Sequence, residues 1–239
     1  MTYDSPRPPV ETAVLLPGAG SDEVFVTAVF AGPLAEVGLR LTTPVPVPGR
    51  RLADQYLSAM DEAATTGPVL VGGISFGAQL AAEWAVRNPD RCAGLLLALP
   101  AWHGAPDSAP AARAALASAA AVDANGLDRT LADTAADAPP WLAAELDRAW
   151  RRYGTGLADS LRAAAGRSAP TLAELRRITV PVGIAACADD PVHPMAIARE
   201  WARALPVAEL GVSTLAALGA DRESLGRAAA DAWRRAAKR

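Results

Sequence analysis

Six short apolar runs constrain this chain most: Thr12–Pro17, Leu39–Val45, Pro68–Gly73, Ala93–Leu99, Val180–Ala186 and Ala208–Thr214. Several carry apolar residues at consecutive positions, as a strand must when helices cover both faces of its sheet. Helical patterns alternate with them, at Asp22–Val37, Arg51–Thr66, Phe76–Arg87, Pro194–Leu205 and Arg222–Ala237. This alternation predicts an α/β fold with a doubly wound, mostly parallel sheet of about six strands. A chain of 239 residues suits one such domain, residues 1–239.

The alternation lapses once. Between Ala101 and Thr179 no strand pattern occurs, only alanine-rich helical stretches such as Ala111–Ala121 and Trp141–Tyr153. The second carries Trp141, Leu142, Leu146, Ala149, Trp150 and Tyr153 at helical spacing. The expectation is a helical cap inserted at about residues 103–178.

Composition narrows the partners. The formal net charge is −3 and no basic face stands out, which argues against nucleic acid. No window reaches the roughly 20 apolar residues of a membrane span. Met1–Pro9 has no apolar stretch behind a positive start, so no secretion signal is expected. Cys92 and Cys187 form neither a metal spacing nor a disulfide framework. Gly18-Ala19-Gly20 lacks the third glycine of a dinucleotide fingerprint and the lysine of a P-loop. No metal or cofactor is therefore expected, and a reducing cytoplasmic setting is the simplest reading. Arginine almost wholly replaces lysine, which occurs only at Lys238, and alanine is abundant; both suggest a GC-rich bacterial source. Oligomeric state is left open.

The chemistry centres on the third apolar run. It ends in Gly73-Ile74-Ser75-Phe76-Gly77, a G-x-S-x-G pentapeptide between a strand and a helix. Glycines two residues either side of the serine let the chain turn sharply, since side chains there would meet the neighbouring strand and helix. The turn lifts the hydroxyl towards the positive end of the helix dipole.

With this motif in this order of elements, the chain resembles the α/β-hydrolase superfamily over nearly its whole length. The resemblance implies an oxyanion hole from backbone amides. Leu15-Leu16-Pro17-Gly18-Ala19-Gly20-Ser21 stands where the family has a His-Gly loop, with Pro17 in the histidine's place. The implied donors are the N–H groups of Ala19 and Phe76. The implied acid lies in Cys187-Ala188-Asp189-Asp190-Pro191-Val192-His193-Pro194, where alignment on Pro194 selects Asp190, with Asp189 as the fallback and Cys187 where glycine is usual.

The family's histidine follows the last strand. Here that place reads Leu218-Gly219-Ala220-Asp221, with alanine for histidine. Serine is a poor nucleophile without a base. Only two histidines exist. His193 is the preferred candidate because of Asp190, although three residues of separation should limit its reach. His103 follows the fourth run, where the chain leaves for the insertion, and is the alternative. Trp102, His103 and Trp141 border or lie in the insertion and are the candidate substrate-pocket residues. Trp84, Trp201 and Trp233 lie in helices flanking the sheet and read as core. Asp22, with Ser21 as competitor, reads as a helix N-cap. Three functions stay open: a serine hydrolase acting on an ester or thioester of a small to medium acyl substrate, a non-hydrolytic lyase, isomerase or cyclase on this fold, and an inactive binding protein.

Overall fold

The computed structural model describes residues 11–239. The Met1–Pro9 reading lies outside the described residues. Six strands form one sheet: β1 Thr12–Leu16, β2 Arg40–Thr42, β3 Val69–Ile74, β4 Cys92–Ala98, β5 Val182–Cys187 and β6 Ala208–Ser213. Their order is β2-β1-β3-β4-β5-β6 and every neighbouring pair is parallel. The chain winds outward from β1 to β2, then crosses back over β1 to β3. Winding therefore reverses between β1 and β3, and the crevice at their carboxyl ends is where open α/β sheets bind ligands.

Consecutive apolar residues serve two cores, because successive side chains of a strand face opposite ways. Val14, Leu16, Val71, Leu95, Leu97 and Ile184 pack on one face with α2 (Leu52–Ala63), α3 (Phe76–Arg87) and α9 (Met195–Ala204). Ala13, Leu15, Leu70, Leu96 and Ala185 pack on the other with α1 (Glu23–Ala35) and α11 (Glu223–Ala236). Trp84 and Trp201 are fully buried among these helices. β2 is shorter than its apolar run because Pro44, Pro46 and Pro48 supply no N–H for a ladder. The Gln55 side chain holds that stretch instead, donating to Val45 O at 3.0 Å and accepting from Val47 N at 3.3 Å.

Helices α4 (Pro110–Asn125), α5 (Leu127–Asp137), α6 (Pro140–Tyr153), α7 (Leu157–Ala165) and the single turn α8 (Leu172–Leu175) fill the chain between β4 and β5. Asp22 fastens α6 to the sheet. It caps α1, accepting from Phe25 N at 3.1 Å, and the same buried carboxylate takes Arg148 Nε at 3.0 Å and Nη2 at 2.7 Å. Arg152 adds a contact at 3.2 Å. The N-cap is legible in the sequence; the two arginines, some 126 residues away, are not.

Burial alone raises the Asp22 pKa, but the hydrogen bonds from Arg148 and Phe25 and the two arginine charges outweigh it, so the carboxyl sits below its usual value. A carboxylate that binds its proton less readily folded than unfolded contributes stability above its unfolded pKa, about 3.9. That stability is lost as pH falls through the lower folded value. Asp22→Asn is expected to cost about 3 kcal/mol at neutral pH. In urea melts the deficit should shrink at pH 3; an equal deficit at both pH values would contradict the assignment.

Candidate active site

Ser75 caps α3 with φ 54° and ψ −113°, a conformation that non-glycine residues rarely hold. Its N–H donates to Ala98 O at 2.9 Å and its carbonyl accepts from Gln79 N at 3.1 Å, so β4 and the first turn of α3 fix the strained residue from both sides. A Cβ on Gly73 or Gly77 would collide with the Leu16 carbonyl, which is why the elbow can lie directly against the end of β1. Gly18 lies in ordinary contact from the other side, where an added Cβ would stand 3.5 Å from Ser75 Cβ. The Pro17–Ala19 loop thus runs beside the nucleophile. Among the described residues, neither the Ala19 nor the Phe76 N–H has an intramolecular acceptor.

The turn after β5 supplies the partners. Asp190 Oδ1 accepts from Val192 N at 2.7 Å and His193 N at 3.0 Å, which folds the chain back on itself. Asp190 Oδ2 then meets His193 Nδ1 at 2.8 Å, and His193 Nε2 lies 2.9 Å from Ser75 Oγ. The expected limit on the reach of His193 is therefore corrected. The side chain need not span from acid to serine, because the turn stands the ring between them. Both side chains are largely buried, Asp190 at 6% exposure and His193 at 15%. Burial raises the Asp190 pKa, but the His193 hydrogen bond and charge, with the two backbone amides, hold the carboxyl below its usual value. An ionised Asp190 keeps the ring proton on Nδ1 and leaves Nε2 free to accept from the serine.

Asp189, the fallback acid, does something else: its Oδ1 accepts from Leu215 N at 2.7 Å. It ties the turn to α10 (Leu215–Ala220), the helix that occupies the place of the family's histidine loop. Thr214 caps that helix, accepting from Ala217 N at 3.0 Å. Trp141 lies so close over Gly219 that a Cβ there would meet the indole at 2.6 Å, and the Arg222 guanidinium stacks on the same ring at 4.6 Å. Ala220 ends the helix in solvent.

The other candidates are placed as follows. His103 Nε2 pairs with Glu200 Oε2 at 3.0 Å and is not joined to Ser75. Trp102 is buried beside α3, where its carbonyl accepts from Gln79 Nε2 at 3.4 Å. Trp141 is half-buried against α10. Cys187 is buried at the end of β5, and burial pushes its thiol up to about 12. Two clefts, of about 900 and 880 Å³, open elsewhere on the surface, and neither includes a residue of the Ser75–His193–Asp190 chain. Among the described residues no group of three or more His, Cys, Asp or Glu side chains could hold a metal ion, and no helix is long and apolar enough to cross a membrane.

The parallel sheet, the strand–serine–helix elbow and the loop beside it define an α/β hydrolase, and the chain belongs to that superfamily. Within it, the chain belongs to the family described as serine aminopeptidase, S33, which matches residues 52–217. No curated protein sequence matches it. Among solved structures it is similar in fold to BpoC from Mycobacterium tuberculosis H37Rv, with 17% identity, a TM-score of 0.69 and coverage of 95% of this chain and 93% of the other. NosK from Streptomyces actuosus gives 22% identity, a TM-score of 0.61 and coverage of 95% and 99%. The enol-lactonase from Burkholderia xenovorans LB400 gives 18%, 0.62, and 87% and 84%.

Placing a histidine back at the family's position should not restore a base. In a His193→Ala background, Ala220→His is expected to leave the rate of Ser75 labelling by a fluorophosphonate at the level of His193→Ala alone. Recovery of labelling would mean that α10 can bring residue 220 to the serine.

Proposed function

We propose that this chain is a serine hydrolase that cleaves an ester or thioester of a small to medium acyl substrate. The observation that carries the proposal is the continuous hydrogen-bonded chain from Asp190 through His193 to Ser75, at 2.8 and 2.9 Å. The reason to favour a non-hydrolytic enzyme or an inert binder was the want of a base, and His193 supplies one.

In the proposed mechanism, His193 Nε2 takes the Ser75 proton as Oγ attacks the carbonyl carbon. Asp190 holds the ring in position and stabilises the imidazolium that forms. The oxyanion is received by the free N–H groups of Ala19 and Phe76, already fixed before the substrate arrives. His193 then returns its proton to the leaving oxygen or sulfur, and an acyl-serine remains. Water, deprotonated by the same Nε2, attacks the acyl carbon; the acyl–Oγ bond breaks, Ser75 Oγ takes the proton back from Nε2, and the acid leaves. In this reading helices α4 to α8 serve as a cap over the crevice, and Trp102, His103 and Trp141 border the acyl group.

Intact-mass measurement after fluorophosphonate treatment tests the proposal. Wild type is expected to gain one adduct and Ser75→Ala none. His193→Ala should react at least about 10³-fold more slowly, while His103→Ala still labels. Absence of an adduct in the wild type would sink the hydrolase reading. Asp190→Asn, which keeps the shape but reverses the preferred ring tautomer, is expected to lower kcat on an activated ester by about 10⁴-fold. A loss of less than tenfold would remove Asp190 from the mechanism.

A further inference from the structure

In the proposed mechanism one oxyanion donor, the Ala19 N–H, belongs to a tight turn, Gly18-Ala19-Gly20-Ser21. Ser21 N closes the turn by donating to Gly18 O at 3.1 Å, and Gly20 has φ 69°. Four consecutive residues after Ala19 are gripped by α6, a helix from the long stretch between β4 and β5. Trp150 lies over Gly20, where an added Cβ would stand 2.9 Å from its indole nitrogen and 3.3 Å from Leu161 of α7. The Tyr153 hydroxyl donates to Ser21 O at 2.9 Å. Asp22 takes Arg148 and Arg152, and Glu23 takes Arg152 at 2.6 Å.

These contacts act at different places. The ion pairs on Asp22 and Glu23 fasten the start of α1, whereas Tyr153 and Trp150 act on the turn itself. Ser21 is bonded at both of its backbone groups, the N–H to Gly18 and the carbonyl to Tyr153, so the orientation of the turn's last residue is fixed. Gly20 is the residue of the turn with the greatest backbone freedom, and the indole packed over it restricts that freedom. Both side chains are buried, and burial pushes the Tyr153 phenol above its usual pKa, so the hydroxyl keeps the proton it donates. A buried tyrosine needs some partner for its hydroxyl. Here that partner is the turn that carries Ala19.

We propose that Tyr153 and Trp150 are positioning residues for the oxyanion hole: from α6 they hold the Gly18–Ser21 turn, and with it the Ala19 N–H, in place beside Ser75. The inference rests on the hydrolase reading of Ser75, with Ala19 as an oxyanion donor. Negative charge gathers on the carbonyl oxygen only as Oγ adds to the carbon, so a displaced donor weakens the transition state more than the bound substrate. Loosening the turn therefore lowers kcat and the affinity for a tetrahedral analogue, and leaves KM and the Asp190–His193 pair alone.

The test uses p-nitrophenyl butyrate as substrate and 1,1,1-trifluoropentan-2-one as inhibitor. In the inhibitor complex Ser75 Oγ bonds to the ketone carbon, its proton passes to His193 Nε2, and the carbonyl oxygen becomes an oxyanion in the hole. Tyr153→Phe, which removes only the hydroxyl, is expected to lower kcat by about 10- to 100-fold and to raise Ki for the ketone by a similar factor. KM should stay within about threefold of wild type, and the pH profile of kcat/KM should keep its midpoint. Trp150→Phe should show the same pattern with a smaller loss, and it keeps the test open should Tyr153→Phe fail to fold. Arg151→Ala breaks the pairs to Asp128 and Asp147 elsewhere on the same helix and should leave kcat and Ki within about twofold. If wild type labels at Ser75 with a fluorophosphonate, three results overturn the positioning role while the hydrolase reading stands. They are a folded Tyr153→Phe or Trp150→Phe that keeps kcat and Ki, a rate loss with Ki unchanged, and an equal loss in Arg151→Ala. If Ser75 takes no label, the hydrolase reading has failed and the positioning role falls with it.

Discussion

The Asp190 carboxylate fixes the backbone turn and the imidazole together. One oxygen draws in the amides of Val192 and His193 and so makes the turn; the other takes the ring nitrogen that the turn has just delivered. Neither half would hold alone. Without the two amides the chain would run on past the sheet and the imidazole would point away from Ser75. Without the imidazole, a carboxylate this buried would face a desolvation cost that two backbone hydrogen bonds only partly offset. Pro191 inside the turn and Pro194 just after it limit the backbone freedom of the turn before the bonds form.

Around this turn the molecule ties its loops to one another. Ala188 N reaches Ser213 O at 2.9 Å, and Asp189 reaches Leu215, so the ends of β5 and β6 leave the sheet as a joined pair. On the opposite side of Ser75, Asp22 joins the start of α1 to Arg148 and Arg152 of α6, and Tyr153 OH donates to Ser21 O at 2.9 Å. Glu145 carries the tie onward, accepting from Arg222 at 3.5 Å on the far side of Trp141. The residues around the crevice are thus held by side chains from elements far apart in sequence.

The parts legible beforehand are those that local chemistry fixes. Each strand lies within an apolar run or overlaps one closely, since a strand covered on both faces has little choice but to be apolar. The elbow is legible because its glycines bracket Ser75 between a strand and a helix, although the Leu16 carbonyl that demands them comes from β1. Asp22 reads as a cap because capping depends on the next three residues. The misjudged parts depend on what a turn does in space. Asp-Pro-Val-His-Pro holds every group needed for a carboxylate to fold its own chain under an imidazole, but three residues of separation look too few until the two amide bonds are drawn. Helix α10 was hidden for a different reason: Leu-Ala-Ala-Leu-Gly-Ala is too short for helical periodicity to show, and its stability comes from Thr214, Asp189 and Trp141.

Under the proposed mechanism, housing the acid and the base in one turn changes the mechanics of the relay. Where those two groups come from separate loops, relative movement of the loops can disturb both the acid–base contact and the base–serine contact. Here a rigid displacement of residues 190–193 carries the carboxylate and the ring together and leaves their 2.8 Å contact intact. Only one coordinate remains free, the gap between Nε2 and Ser75 Oγ. In the proposed mechanism, motion of this loop acts on the chemistry as a single throttle, and the segment after β6 carries no proton, only the Leu215 N–H that Asp189 holds.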